Sequence, residues 1–191
     1  ETYNSYGWGT SGDNIDTHLM KNTEWGAVAY LSKSIYGKNT TEVWINNSQT
    51  YTTGCAGNAA SSMSYNGCEN SYETANGVNA STTGTIYGVY DMSGGAWELV
   101  ASHIDSDNVY IEFYGDSLNN SNSNYKNLYP VGTTDTLPNN YIAAINVKGD
   151  ALYETSNNTG AQYSWNSDYA YMCGGDYPFI MRGGKYNAYD A

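Results

Sequence analysis

Asp91 and Glu98 are the residues of this chain whose type and spacing most clearly suggest chemistry. They flank the turn Ser93-Gly94-Gly95, in which at least one glycine is expected at positive φ. Two carboxylates, with main-chain carbonyls of the turn between them, are the hard oxygen ligands that hold Ca²⁺ at about 2.3–2.6 Å. Two other interpretations stay open: the carboxylates form an acid/base pair, or they only face water.

Three segments, in the same order along the chain, resemble motifs of the formylglycine-generating-enzyme-like domains, a branch of the C-type lectin fold. They are LMKNTEWGAVAY over residues 19–30, GGAWEL over 94–99 and MRGGKY over 181–186. The resemblance implies one α+β domain over residues 1–191, with short antiparallel sheets, one or two helices and much irregular loop. The family's fold normally begins earlier and ends later, so we expect the chain to be a piece of a longer protein.

The same resemblance implies a structural calcium ion at the turn. In family members that bind calcium there, the residues matching Asp91 and Glu98 donate side-chain oxygens, and those matching Gly94 and Ala96 donate main-chain carbonyls. This chain has Asp91 where the family usually has asparagine, and the added charge is expected to tighten the site. Gly95 replaces a second asparagine of the family, so the contacts of that side chain are missing.

The enzymes of this family hold copper between two cysteine thiolates, the first of which lies a few residues after the Arg-Gly-Gly element. Residues 185–191, which follow that element here, contain no cysteine, and Cys173 precedes it. Because Cu(I) needs soft thiolate ligands, we predict that the chain is not an enzyme of this kind and has no catalytic residues. An unrecognised hydrolase built on His103, with Asp105 or Glu98, is the alternative.

The composition limits the classes of partner. Seven basic and nineteen acidic residues give a net charge of −12, which opposes phosphate backbones and argues against nucleic acid. No apolar run approaches the ~18–20 residues of a membrane span, so no direct membrane insertion is expected. The 21 tyrosines and 21 glycines, with many asparagines and serines, are typical both of recognition surfaces and of secreted, loop-rich β proteins.

The cysteines point to an extracellular protein. Cys55 and Cys68 bracket a polar loop and are close enough in sequence for a local disulfide, which would offset the entropy of that loop. Two free thiols in a cytosolic protein are the alternative. Cys173 is left over and is expected to be buried, paired outside this chain or reactive.

Hydrophobic periodicity predicts one helix, over residues 17–34, ended by Gly37. Alternation of apolar and polar residues predicts strands at 42–46, 87–90, 96–102 and 109–114. Residues 141–145 fit either a strand or a helix, and 172–182 return to the core with Pro178 at a strand edge.

A ligand surface is predicted on the loop-rich side near the end of the chain. Its aromatic rings would stack on sugars or grip a protein, and its polar groups would hydrogen-bond. The predicted residues are Trp165, Tyr169, Tyr171, Lys185, Tyr186, Asn187 and Tyr189. The alternative for each tyrosine is an ordinary half-buried strand position.

The opening helix and the segment 37–68 also resemble C-terminal domains of pilin-like surface proteins of Firmicutes, and the residues near 163–190 resemble the variable proteins of diversity-generating retroelements. These resemblances imply a non-catalytic extracellular recognition module, an adhesin or pilus-associated domain, that binds a protein or glycan on another cell or phage surface. A filament subunit that assembles with its own copies through tyrosine-rich faces is the structural alternative.

Overall fold

The computed structural model describes residues 18–57, 67–130, 149, 151 and 178–186. This part of the chain combines few helices with two small sheets, as an α+β class requires. The elements in chain order are α1 (Asn22–Ser32), β1 (Cys55–Ala56), β2 (Asn70–Ser71), a 3₁₀ helix (Gly77–Ala80), β3 (Glu98–Asp105), α2 (Val109–Tyr114), α3 (Asp116–Asn119), a second 3₁₀ helix (Ser123–Tyr125), β4 (Asn127–Pro130) and β5 (Phe179–Arg182).

The larger sheet has the strand order β4-β3-β5, so β3 is its central strand. β3 runs antiparallel to β5, with Glu98 opposite Arg182, and parallel to β4, with Ser102 opposite Asn127. The parallel pair departs from the prediction of antiparallel sheets alone. It forms because residues 106–126 cross over between β3 and β4 through short helices, a connection that antiparallel hairpins do not need.

The helix α1 is shorter than the predicted 17–34. Lys21 has extended backbone angles and its N–H donates to the Glu24 carboxylate at 2.8 Å, so the helix begins at Asn22. It ends at Ser32, five residues before Gly37, the predicted end. Its buried residues include Trp25, Ala29 and Ser32, which fall on one face. None of the helices in the described ranges is long and apolar enough to cross a membrane.

The hydrophobic core lies between α1 and the larger sheet. Burial of each large apolar side chain contributes about 1.5–3 kcal/mol. The core cluster consists of Trp25, Ala29, Val100, Ile104, Tyr129, Ala151 and Ile180.

A buried polar network ties α1 to all three strands of that sheet. Arg182 is fully buried, and its Nε and a second guanidinium nitrogen donate to Asn22 Oδ1, the former at 2.6 Å. Its guanidinium lies 4.6 Å from the centre of the Trp25 ring. Asn22 in turn donates to the Tyr129 hydroxyl at 2.8 Å, and its main-chain N–H donates to Ser102 Oγ at 2.9 Å. The arginine of the Arg-Gly-Gly element is therefore a structural residue.

Two predicted strands are wrong. Residues 42–46 form isolated bridges, Ile45 with Gly57 and Asn46 with Gly94, and residues 87–90 are turn and extended loop. The strand predicted at 96–102 exists but runs from Glu98 to Asp105. Pro178, predicted at a strand edge, directly precedes β5, and its carbonyl accepts from the Ile104 N–H at 2.9 Å.

The third error is residues 109–114, which form α2 and not a strand. The side chain of Asn108 caps the helix by accepting from the Tyr110 N–H at 2.8 Å, and Gly115 ends it. Ile111 is the one buried residue of α2. The apparent alternation therefore came from exposed aromatic residues rather than from a strand with one buried face.

Candidate functional site

The loop 46–54 and the turn 93–95 are held side by side through Asn46. The Asn46 N–H donates to the Ser93 carbonyl at 2.7 Å, and the Gly95 N–H donates to the Asn46 carbonyl at 2.6 Å. Gly94 has a φ of 79°, and a Cβ built on it would lie 2.4 Å from the Asn46 oxygen. Only glycine fits there, because any side chain would collide with that main chain.

The Arg-Gly-Gly element closes the other side of the turn. The Gly94 N–H donates to the Gly183 carbonyl at 2.5 Å, and the Tyr186 N–H donates to the Gly95 carbonyl at 2.8 Å. Glu98 lies opposite Arg182 in the sheet. Two of the segments predicted to matter, which are far apart in sequence, therefore meet at this turn.

Three oxygen atoms converge on the space beside Gly183, which has a φ of 81°. A Cβ built on this glycine would lie 3.7 Å from Glu98 Oε2, 3.8 Å from the Met92 carbonyl and 3.9 Å from the Asp91 carbonyl. Glycine leaves this space open, and one carboxylate with two carbonyls is an oxygen-only donor set of the kind that Ca²⁺ prefers. The chemistry of these donors fits the ion that the sequence predicts.

The Asp91 side chain faces the loop 46–54. Its Oδ1 accepts from Asn46 Nδ2 at 2.8 Å and from the Gly54 N–H at 3.0 Å. The φ of Asp91 is 62°, a left-handed conformation that aspartate tolerates better than most residues. Asp91 thus fixes the loop with one side-chain oxygen, while its carbonyl points toward the space beside Gly183.

The structure places the predicted metal residues, Asp91, Gly94, Ala96 and Glu98, in and around one turn. Gly94 is buried between Asn46 and Gly183, and Ala96 is exposed. Sequence reasoning missed the Met92 carbonyl and the space at Gly183, because main-chain oxygens carry no signal in residue type. The positive φ expected in the turn is found at both Gly94 and Gly95.

Electrostatics make the turn attractive to a cation. Burial raises the pKa of the Glu98 carboxyl above its ordinary value, and the negative charge of Asp91 raises this pKa further. A positive charge bound beside Glu98 would lower this pKa again. Within the described ranges there is no group of three or more His, Cys, Asp or Glu side chains that could hold a metal. A calcium site here would rely on main-chain carbonyls.

Aromatic side chains flank the turn on both sides. Lys185 Nζ lies 5.2 Å from the centre of the Trp97 ring, and Tyr186 meets Tyr51 edge to face with ring centres 6.1 Å apart. Trp97 is 38% exposed and Tyr51 is 57% exposed. Two predicted ligand residues, Lys185 and Tyr186, thus lie beside the turn. The others, Trp165, Tyr169, Tyr171, Asn187 and Tyr189, lie outside the described residues, as do 141–145 and Cys173.

The predicted disulfide is confirmed, since Cys55 and Cys68 are bonded with their Cα atoms 5.4 Å apart. Cys55 is fully buried in β1, directly after Gly54, whose N–H contacts Asp91. The disulfide therefore anchors the loop that holds the Asp91 side chain.

His103 lies in the core, with an exposed fraction of 1%. Its Nδ1 is 2.9 Å from the Ile104 carbonyl, and Asp105 is exposed at the end of β3. A general base has to come within hydrogen-bond reach of its substrate. The buried position of His103 does not suit that role.

The first and second motif segments each contact the third in the folded chain. Asn22, from the first segment, binds Arg182 of the third, and Gly94, from the second, binds Gly183 of the third. Comparison of the chain with protein-family models, with curated proteins and with solved structures found no match.

Proposed function

We propose that this chain is a non-catalytic extracellular recognition module whose carboxylate turn holds a structural calcium ion. The observation that supports it best is the convergence of Glu98 Oε2 with the Asp91 and Met92 carbonyls on the space that Gly183 leaves open. The fold we propose is C-type-lectin-like, and the contacts among the three motif segments support it.

Calcium would act here as a clamp. It would neutralise the carboxylate of Glu98, whose pKa is raised by burial and, to a smaller extent, by the charge of Asp91. The residues that would hold it lie on the turn, and that turn is already bonded to Gly183 and Asn46. Binding would therefore rigidify the end of β3, the Arg-Gly-Gly element and the loop 46–54 together.

The ligand surface that we propose lies on the aromatic side chains around the turn. Trp97 and Tyr51 offer exposed rings that can stack on a sugar or on a protein side chain. Lys185 lies over Trp97 and adds a hydrogen-bond donor beside the ring. Calcium would stabilise this surface from beneath, since Trp97 precedes Glu98 and Lys185 follows Gly183 by two residues.

The proposal keeps the adhesin or pilus-associated role that the sequence resemblances imply. A hydrolase centred on His103 is less well supported, because that side chain is buried at 1% exposure. The extracellular location is supported by the Cys55–Cys68 disulfide, which persists in oxidising environments.

A calorimetric calcium titration, with thermal melts in calcium and in EDTA, tests the metal. The variants are Glu98→Gln and, as a matched control, Glu112→Gln, which removes an equal charge from an exposed residue of α2. We expect calcium to bind and stabilise the wild type and the control but not Glu98→Gln. Calcium that binds neither protein, or binds Glu98→Gln as tightly as wild type, would exclude the turn as its site.

A glycan array and a panel of surface proteins, probed with wild type and Trp97→Ala in calcium, test the ligand surface. We expect a bound ligand to be lost in Trp97→Ala and retained in Tyr87→Ala, an exposed tyrosine outside the aromatic cluster. A ligand that binds both variants equally would place recognition elsewhere on the molecule. A negative result in one experiment leaves the other proposal standing, because a calcium site can exist without a ligand surface beside it.

A further inference from the structure

The helix α2 presents an aromatic surface to solvent, formed by Tyr110, Phe113 and Tyr114 and called here the α2 face. Phe113 is 70% exposed and Tyr114 is 77% exposed. Tyr110 and Tyr114 stack with ring centres 6.0 Å apart and an angle of 15° between the ring planes. The ring centre of Phe113 lies 6.4 Å from that of Tyr114. The rings therefore form one contiguous patch.

The exposure of Phe113 is notable because phenylalanine has no polar group to offer to water. The chain has 21 tyrosines but only two phenylalanines, and the other, Phe179, begins β5. Exposed aromatic patches of this kind mark interaction sites more often than scattered single residues do.

The α2 face is held in place before any partner binds. At 3.6 residues per turn, Tyr110, Phe113 and Tyr114 fall within about 100° of one another around the helix axis, and Ile111, the buried residue of the helix, fixes that orientation against the core. Asn108 caps the start of α2, and Gly115, at its end, packs against the Phe179 ring. A preorganised surface loses less entropy on binding.

The α2 face lies in an acidic segment of the chain. Residues 105–116 contain four carboxylates and no lysine, arginine or histidine. All four are exposed, and the ion pairs of the described residues, at Glu24 and Glu42, involve none of them. The four acids, called here the acidic rim, are Asp105, Asp107, Glu112 and Asp116.

We propose that the α2 face docks a basic, arginine-containing segment of another protein. An arginine guanidinium stacks on aromatic rings and also pairs with carboxylates, so it matches both parts of this surface. The acidic rim disfavours anionic lipids and nucleic acids. It also disfavours a second copy of the chain, because a symmetric contact would bring two acidic rims together. This surface is separate from the calcium turn and does not depend on it.

Fluorescence anisotropy tests the proposal with two labelled peptides, one of alternating arginine and alanine and one with glutamate in place of arginine. We expect the wild type to bind the arginine peptide only. The double variant Phe113→Ser/Tyr114→Ser should weaken binding by about tenfold, as the loss of two cation–π contacts predicts. Tyr36→Ser and Tyr87→Ser are matched controls, since both tyrosines are more than 80% exposed elsewhere, and should bind as wild type does.

The charge contribution has its own variant. Glu112→Gln should weaken binding about two- to threefold at low salt and not at ~0.5 M salt, where exposed charges are screened. Glu73→Gln, an exposed acid outside the rim, controls for net charge. The proposal is wrong if neither peptide binds, if both bind equally, or if the control variants lose as much affinity. Concentration-dependent self-association that Tyr114→Ser abolishes would also overturn it, in favour of a second copy.

Discussion

Replacing Glu98 with glutamine should make the folded protein more stable than wild type in EDTA and less stable than wild type in calcium. Burial and the charge of Asp91 raise the pKa of Glu98 in the folded state above its ordinary value of 4.5. The unfolded chain therefore releases this proton at lower pH than the folded chain. Stability falls as the pH rises from the unfolded pKa through the folded one, and the loss is complete above the folded pKa. Glutamine removes that loss.

The size of the effect in EDTA is small because Glu98 as a whole is an exposed residue, and only its carboxyl group is partly shielded from water. Two unit charges several ångströms apart repel by less than about 1 kcal/mol in a water-like dielectric. For a domain of this size, about 1 kcal/mol shifts the melting temperature by about 2–4 °C. We therefore expect Glu98→Gln to melt about 1–2 °C above wild type in EDTA at neutral pH, and level with it at about pH 4.

Calcium should reverse the order of the two melting temperatures, so that wild type becomes the more stable protein. A ligand at a hundred times its dissociation constant stabilises the folded state by about 2.7 kcal/mol. That corresponds to about 5–10 °C for wild type, whereas Glu98→Gln loses the one negative charge among the three oxygens near the space at Gly183. The wild type should then melt well above the variant.

The assay is a set of thermal melts followed by near-ultraviolet circular dichroism, at both pH values, in EDTA and in calcium. Glu112→Gln serves as the control and should respond to calcium as wild type does. The reasoning is refuted if Glu98→Gln is less stable than wild type in EDTA at neutral pH, or if calcium stabilises the two proteins equally.

Three further perturbations test the rest of the structure. Arg182→Met should destabilise the fold by about 1–3 kcal/mol in urea unfolding, because it leaves buried Asn22 Oδ1 without its donor; a change below about 0.5 kcal/mol would contradict the network. Gly183→Ala should cost about 1–3 kcal/mol in EDTA from its φ of 81° and should also weaken calcium binding in calorimetry, whereas unchanged affinity would mean that the space beside it is not used. Replacing both Cys55 and Cys68 with serine should lower the free energy of unfolding by about 3 kcal/mol for a loop of this length. An unchanged urea midpoint would show that the disulfide does not stabilise the loop.

Local chemistry predicted several parts of this molecule correctly. Trp25 and Ala29 recur at helical spacing along α1, so the sequence was enough to predict that this face of the helix is buried. The short separation of Cys55 and Cys68 in a polar loop was enough to predict their bond. The strand at β3 was also predicted, although its bounds moved to 98–105. The α+β class follows from these elements.

Local patterns failed where several structures were compatible with the same residues. The segment 109–114 contains residues with strand propensity, but the cap from Asn108 and the stop at Gly115 favour a helix. Residues 42–46 pair with distant main chain at Gly57 and Gly94 and do not extend into a strand. Arginines are mostly exposed in proteins, yet Arg182 lies inside the core, where it binds Asn22 and stacks on Trp25.

The sequence by itself determined which acids, glycines and aromatic residues could take part in a site near residue 91. Only the tertiary structure decided which atoms face one another. The Met92 and Asp91 carbonyls reach the space beside Gly183 for two reasons. Glu98 and Arg182 occupy opposite positions on neighbouring strands, and the Gly94 N–H donates to the Gly183 carbonyl. Main-chain oxygens are common to every residue, so their convergence depends on long-range packing and is not readable from residue types.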